Sequence, residues 1–338
     1  GARVWAWDQS GQYEVDTSRE LPYFVGKYTN DKDDTYHGGP GIVNADDLWS
    51  EVALTPARLV DPEIEQIPQA SRKTDPRWST YRVVAAVAKV EMINQFDALN
   101  AWDPGVISLG LYHWILGGGR GRGELCALFA LLRERHPEAF EAVMGRFGVQ
   151  PTARWGDEGM YDPKTRTHTA SLSMRRADGL WSVITSSAKN DEKQWFRGWS
   201  WYYRLQMACR TSDALRRTMW ELGRIRLRDL LSAPWPGRGL SLGELFTSER
   251  LVAMLLRWHV NLPATLVNAD GVRGRLFKRG LPAGDPADWG SAELAILEQN
   301  ILASVTFNKN LKKTVGDVYG NRDLEQGPHS FHMDWSGL

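Results

Sequence analysis

Near residue 78 the chain passes from turn-rich sequence into sequence with a helical period, and that change most limits what it can fold into. From there apolar residues recur every three or four positions. Val83, Val84, Val87 and Val90 share one face of a 3.6-residue wheel. Ser79 and Thr80 are placed to cap a helix running to about Gln95. Further helices are expected at about 124–135, from there past His136-Pro137 to about Phe147, and at 191–209, 212–232, 243–260 and 290–306. Between them Ser171–Met174 and Leu180–Ile184 read as the strands of a small hairpin. Val106–Tyr112, after the turn signal Pro104-Gly105, reads as a short strand or hairpin arm. The tail from Gly316 reads as turn-rich and polar. The expected class is mainly α (α+β).

Residues 1–75 lack that periodicity. They hold the acidic cluster Asp31-Lys32-Asp33-Asp34, the turn-rich His37-Gly38-Gly39-Pro40-Gly41, and Pro56, Pro62 and Pro68. They read as a loosely structured acidic arm ending in a linker near Ile67–Arg77, followed by one domain over 76–338 with a helical C-terminal lobe. Charge divides the same way. Residues 1–75 carry 7 Lys+Arg against 14 Asp+Glu, and residues 76–338 carry 34 against 27, so the net charge of zero is the sum of −7 and +7. The overall balance argues against a dedicated nucleic-acid binder. Apolar runs such as Val83–Ala88 and Leu125–Leu132 fall far short of the roughly 18 residues a membrane-spanning helix needs.

Cys126 and Cys209 sit in apolar helical segments and are expected as buried thiols rather than a disulfide. No His/Cys/Asp/Glu cluster has metal-ligand spacing, the His329…His332 pair included. Gly117-Gly118-Gly119 lacks the spacing of a nucleotide fingerprint. No metal or cofactor is expected. Residues 1–20 lack the basic and apolar regions of a signal peptide. Because the first residue is Gly, the chain is expected to be a processed or trimmed form or a fragment.

The constellation that points to chemistry is Glu91, then Asp103, then Ser108-Leu109-Gly110-Leu111-Tyr112-His113. Glu91 falls near the end of the first helix at the edge of its apolar face. Burial there disfavours the charged form, which suits a general acid. Asp103, between Trp102 and the Pro104-Gly105 turn, is a second carboxylate, and Ser108 supplies a hydroxyl able to hold a water. Two carboxylates flanking a scissile bond are the minimum apparatus for glycoside hydrolysis. Asp97 is the rival second carboxylate, equally suited to a cap or an ion pair.

This segment resembles the catalytic core of the lysozyme-like superfamily, phage-type lysozymes and bacterial chitosanases above all. There a helix ends on the acid Glu, an Asp follows in a β-hairpin, and a Thr-[Ile/Leu]-Gly-x-Gly-[His] string comes five or six residues later. The string Phe96-Asp97-Ala98-Leu99-Asn100-Ala101-Trp102-Asp103 is similar to peptidoglycan hydrolases of the same superfamily. Ser108 stands for the usual Thr and keeps the hydroxyl. Tyr112 stands for a Gly, so either the hairpin backbone differs or the tyrosine lines the cleft. The resemblance covers roughly residues 78–135. It implies a lysozyme-like helical domain with a small β-hairpin at the active-site cleft, Glu91 as acid, and Asp103 with Ser108 as the water-activating pair. Trp102 and Trp114, flanking the hairpin, are candidates for sugar contact, with Tyr112 and His113 beside them. A lone His next to a Trp is more often a packed residue.

Two further clusters have a plain reading beside a functional one. In the run Trp195–Arg204, some aromatics are candidates to stack on sugars and Arg197 or Arg204 to meet glycan carboxylates. At helical spacing, Trp195, Trp199 and Tyr202 equally form one face of a core helix. Arg216, Arg217, Arg224, Arg226 and Arg228 read mainly as a solvated or salt-bridged face opposite the buried Leu215, Met219, Leu222 and Ile225.

The expected function is therefore a peptidoglycan glycoside hydrolase acting at the bacterial cell wall, in the periplasm or outside the cell. Inversion is preferred, because a water-holding hydroxyl is useful where water attacks directly. Its partners would be glycan strands and, through the acidic arm, a carrier or delivery protein. The alternatives are a chitosanase or lytic transglycosylase of the same fold and, in another class, a non-catalytic wall-binding component of a phage tail or secretion machine.

Overall fold

The computed structural model describes residues 4–8, 11–15, 52–59, 64, 66–100, 105–117, 122–175, 179–184, 196, 199–267 and 274–338. Helix dominates, the strands are short and antiparallel, and the mainly helical α+β class follows. The chain divides into two compact units. One holds residues 1–54, 95–161 and 168–219; the other holds 55–94, 162–167 and 220–338.

The second unit is built around the helix Glu249–Asn261. Glu249 and every residue from Leu251 to His259 are buried. A helix buried all round is a core helix, and this one packs against the helices Pro76–Met92, Ser291–Ser304 and Lys309–Tyr319. Ser248 caps it, its hydroxyl accepting from Leu251 N at 3.2 Å. Losing such a cap costs about 1 kcal/mol. Arg250 clasps Glu298 on the Ser291–Ser304 helix with two bonds of 2.7 Å.

The Pro76–Met92 helix starts earlier than Ser79. Asp75 is its cap, accepting from Arg77 N at 2.9 Å, and Pro76 supplies the preset backbone of the first turn. Ser79 and Thr80 lie inside the helix, fully buried, and hold the C-terminal tail instead. Ser79 Oγ donates to Glu249 Oε1 at 2.7 Å and accepts from His332 N at 3.1 Å. Thr80 Oγ1 accepts from Asp334 N at 2.8 Å. The tail is thus a packed strap, with Leu324, Met333 and Asp334 buried. The tail expected from Gly316 is turn-rich from Gly320 on, but its first residues close a helix. Lys309–Tyr319 is a helix, capped by Asn308, with Leu311, Val315 and Val318 buried at i, i+4 and i+7.

In the first unit the helix Glu124–Arg135 has the expected limits, and all eight residues from Leu125 to Leu132 are buried. Its N-terminus needs glycine. A Cβ on Gly123 would stand 2.2 Å from Ile115 O and 2.3 Å from Leu116 O. The expected hairpin is present as Leu172–Arg175 paired with Trp181–Val183, and Val149–Pro151 adds a third strand on the other side of Leu172–Arg175. A separate hairpin pairs Val4–Asp8 with Gly11–Val15. Of the expected arm, Leu54 in the first unit and Leu59, Ile64 and Ile67 in the second are buried.

The helices Trp199–Thr211 and Asp213–Leu231 follow. On the second, Leu215, Met219, Leu222 and Ile225 are buried as expected, but so are Arg216, Arg224 and Arg226. The solvated alternative fails for these three, and the salt-bridged alternative holds for Arg216 and Arg224. Arg216 pairs with Asp213 and donates to Cys209 O at 2.6 Å. Arg224 donates to Asp334 Oδ2 at 2.9 Å and to Ser336 O at 2.8 Å. Arg226 binds His259. A guanidinium aimed at fixed carboxylates and carbonyls stays bonded when buried, so arginine at a helical position does not by itself mark the wet face.

Both cysteines are buried free thiols, as expected. In the aromatic run, Phe196 and Trp201 are fully buried and stacked with centroids 4.7 Å apart. Arg204 lies 3.4 Å over the Phe147 ring. Trp195 and Arg197, and the side chains of Trp199 and Tyr202, lie outside what is described.

Candidate active site

Glu91 is the penultimate residue of the Pro76–Met92 helix. Its side chain is 11% exposed, and Oε2 lies 2.9 Å from Nη1 of Arg257, itself 1% exposed. Glu91 is therefore nearly buried, as expected, but its setting is not simply apolar. Burial pushes the Arg257 guanidinium below the usual arginine range, and the Glu91 and Asp317 carboxylates act in the opposite direction. Neither Nε nor Nη1 of Arg257 has a hydrogen-bond partner among the described residues, so the contact with Glu91 is one of charge and proximity.

The helix stops at Ile93, whose φ is 51°, followed by Asn94 at 64°. Beyond it, in the first unit, the strands Leu99–Asn100, Ser108–Leu109 and Trp114–Ile115 form a three-stranded antiparallel sheet in that order. Ser108 sits on the middle strand, opposite Asn100 on one side and Ile115 on the other. It is fully buried, and its Oγ donates to Asn100 O at 3.3 Å. Trp102 and Asp103 lie outside the described residues.

Val106 enters that strand through a three-residue turn. Ile107 N donates to Gly105 O at 3.0 Å, and Val106 has φ 73°. This turn form is rare and strained, more so for a β-branched residue. Of the six non-glycine residues with positive φ among those described, Ile93, Asn94, Val106 and His113 fall within residues 93–113. Each such conformation costs on the order of 1–3 kcal/mol and persists only where the surroundings enforce it; such positions cluster at functional sites.

The segment Gly110–His113 is a turn rather than a continuation of the strand. Gly110 has φ 76°, and a Cβ there would stand 3.0 Å from Met219 Sδ and 3.2 Å from the Trp114 ring. Tyr112 and Trp114 are 2% and 1% exposed and meet edge to face at 5.6 Å. These two rings are packed in place and do not offer a face to a sugar, which corrects the expected contact role for both. His113 is half-buried with φ 56°. Asp97 is a structural group: its carboxylate accepts from Val52 N at 3.2 Å and from Arg210 Nε at 2.6 Å.

Two buried polar clusters were not legible in the sequence. Glu249, fully buried, accepts from Ser79 Oγ and Arg82 Nη2 at 2.7 Å and from Glu325 N at 3.0 Å. Burial raises its carboxyl above the ordinary range, against these bonds. His259, also fully buried, has Nε2 2.8 Å from Thr165 O and accepts at Nδ1 from Arg226 Nε at 3.2 Å. Burial, then the Arg226 charge, holds it well below the usual histidine range. The helix-start signal at Ser248-Glu249 was the only local hint of either.

Among the described residues no group of three or more His, Cys, Asp or Glu is arranged to hold a metal ion, and no helix is long and apolar enough to cross a membrane. No family model, curated protein or solved structure matches the chain.

Proposed function

We propose that the protein is a peptidoglycan glycoside hydrolase of lysozyme-like type. In this reading Glu91 gives its proton to the glycosidic oxygen. Asp103 positions and activates a water that attacks the anomeric carbon, with inversion, and Ser108 joins it in holding that water only by giving up its bond to Asn100 O. The proton passes from Glu91 to the leaving sugar, and the water's proton passes to Asp103. Arg257 is a positioning residue that pairs with the Glu91 carboxylate in the free protein, and Glu91 takes up the proton it donates when bound sugar displaces that pair.

The observation that carries the reading is the strained backbone between Glu91 and the sheet that holds Ser108. Ile93, Asn94, Val106 and His113 are all held at positive φ within one short stretch. That stretch is the one whose residues resemble the lysozyme-like core. Ile93 and Asn94 close their helix in the left-handed conformation common at helix ends, so β-branched Val106, in a rare turn form, is the position whose strain points most directly to function.

Mass spectrometry of products from purified peptidoglycan tests it. Hydrolysis yields reducing muramic-acid or glucosamine ends. Anhydro ends would show transglycosylation, and turnover of chitosan alone would show a chitosanase. Retention on walls with no soluble product would show a binding component and overturn the proposal.

A further inference from the structure

The sheet Val149–Pro151, Leu172–Arg175, Trp181–Val183 has one buried and one open face. Val149, Pro151, Leu172 and the adjoining Ile184 are buried. Cross-strand partners share a face, so Gln150, Ser173 and Val183 form one row on the other side, with Trp181 and Arg175 beside them. On that side Trp181 is 47% and Val183 48% exposed. An open groove of about 680 Å³ runs over it, lined by Arg133, Gln150, Arg154, Trp181 and Val183, with the Asp157 carboxylate on its rim accepting from Arg154 N at 2.6 Å.

An indole left half in water beside hydroxyl and amide groups matches a sugar ring, which offers an apolar face and a polar rim. The charges add a second requirement. Arg133 is fixed by bonds to Pro151 O at 3.2 Å and Ala153 O at 2.8 Å. Burial and the neighbouring Arg154 charge push its guanidinium below the usual range, with Asp157 and Glu134 opposing. Arg154 is exposed and has no ion pair among the described residues. Asp157 offsets part of this charge, and two guanidiniums against one groove carboxylate leave a net positive site that an anion would neutralise.

We propose that this groove is a second binding site, separate from Glu91, Asp103 and Ser108, for an acidic glycan: a hexosamine chain bearing a carboxylate on a ring substituent. Trp181 stacks on a sugar ring, Gln150 meets its hydroxyls, and Arg154 with Arg133 takes the carboxylate. The source of that chain, the bacterial wall, rests on the function proposed above; the binding chemistry does not.

Calorimetric titration of the full chain tests the site, using two sulfur-linked tetrasaccharides that resist hydrolysis. One alternates N-acetylglucosamine with N-acetylmuramic acid and is acidic. The other is N-acetylglucosamine throughout and is neutral. Both test substitutions lie on the surface. Trp181→Ala should weaken binding of both sugars about tenfold. Arg154→Ala should weaken only the acidic sugar, and the loss should shrink at about 0.5 M salt, where charges are screened. Turnover of a short oxygen-linked substrate at saturation should match the parent in both variants. Unchanged isotherms in both variants overturn the site. So does an equal loss for the neutral sugar on Arg154→Ala, or a preference for an acidic peptide over either sugar. If the isotherms change as expected but walls yield no products, the site stands and the hydrolase reading falls.

Discussion

Arg257 and Glu91 form an ion pair at 2.9 Å with the arginine 1% and the glutamate 11% exposed. Removing one partner of a buried pair leaves the other uncompensated, at a cost of about 3–5 kcal/mol. Arg257→Met keeps an unbranched apolar side chain in the space but strands the Glu91 carboxylate. Because Glu91 lies near the surface, the expected cost is at the lower end, about 3 kcal/mol. Glu91→Gln keeps the shape and strands the guanidinium. Asp317 still acts on Arg257 there, so a smaller cost, about 2 kcal/mol, is expected. The double variant should lose less than the sum, with a coupling of about 1–3 kcal/mol. Urea unfolding at neutral pH, followed by far-ultraviolet circular dichroism, measures all four proteins. Additive losses, or an Arg257→Met loss below about 1 kcal/mol, would refute a coupled buried pair.

His259 predicts a pH dependence with a definite sign. Its folded pKa is lowered, so the stability it contributes is present above the unfolded value near 6.5 and lost as pH falls below it, by about 1.4 kcal/mol per pH unit. Protonation would turn Nδ1 from an acceptor of the Arg226 bond into a donor facing it. His259→Asn should flatten the stability curve between about pH 6.5 and 5 relative to the parent; parallel curves would contradict the buried neutral imidazole. Ile93, 47% exposed with φ 51°, ends its helix in the left-handed conformation. Ile93→Gly should therefore raise stability by roughly 1 kcal/mol in the same unfolding assay, and a loss would show that the backbone there is not strained. Burial pushes the Cys126 thiol up to about 12 and Cys209 well above its ordinary value. Iodoacetamide at mildly alkaline pH should leave both unmodified in the native protein and modify both in denaturant. Rapid native labelling would contradict their burial.

What the sequence made legible was what neighbours in the chain decide. The Glu124–Arg135 helix is bounded by Gly123 and by His136-Pro137, so its limits are local. The strands near 172 and 182 show in short apolar runs and the turn between them. The helix Lys309–Tyr319, which runs into the start of the tail, was not legible because Lys309, Lys312 and Lys313 hide a stripe only three residues deep, Leu311, Val315 and Val318. The burial of Arg224 and Arg226 was not legible because their partners lie far along the chain. Asp334 for Arg224 and His259 for Arg226 cannot be seen in a helical wheel. The candidate site divides along the same line. A helix ending near Glu91 and a short sheet around Ser108 follow from local pattern. Arg257, the packing of Tyr112 and Trp114, and the strained turn at Val106 are products of tertiary contact, which overrides local preference.

The central claim is that Glu91 donates the proton. Its direct test is the rate at which Glu91→Gln releases reducing ends from purified peptidoglycan, measured where unfolding curves show that variant fully folded. Loss of a general acid predicts a rate at least about a hundredfold below the parent, at undiminished binding to the wall. A folded Glu91→Gln protein that still cleaves at the parental rate would contradict the account.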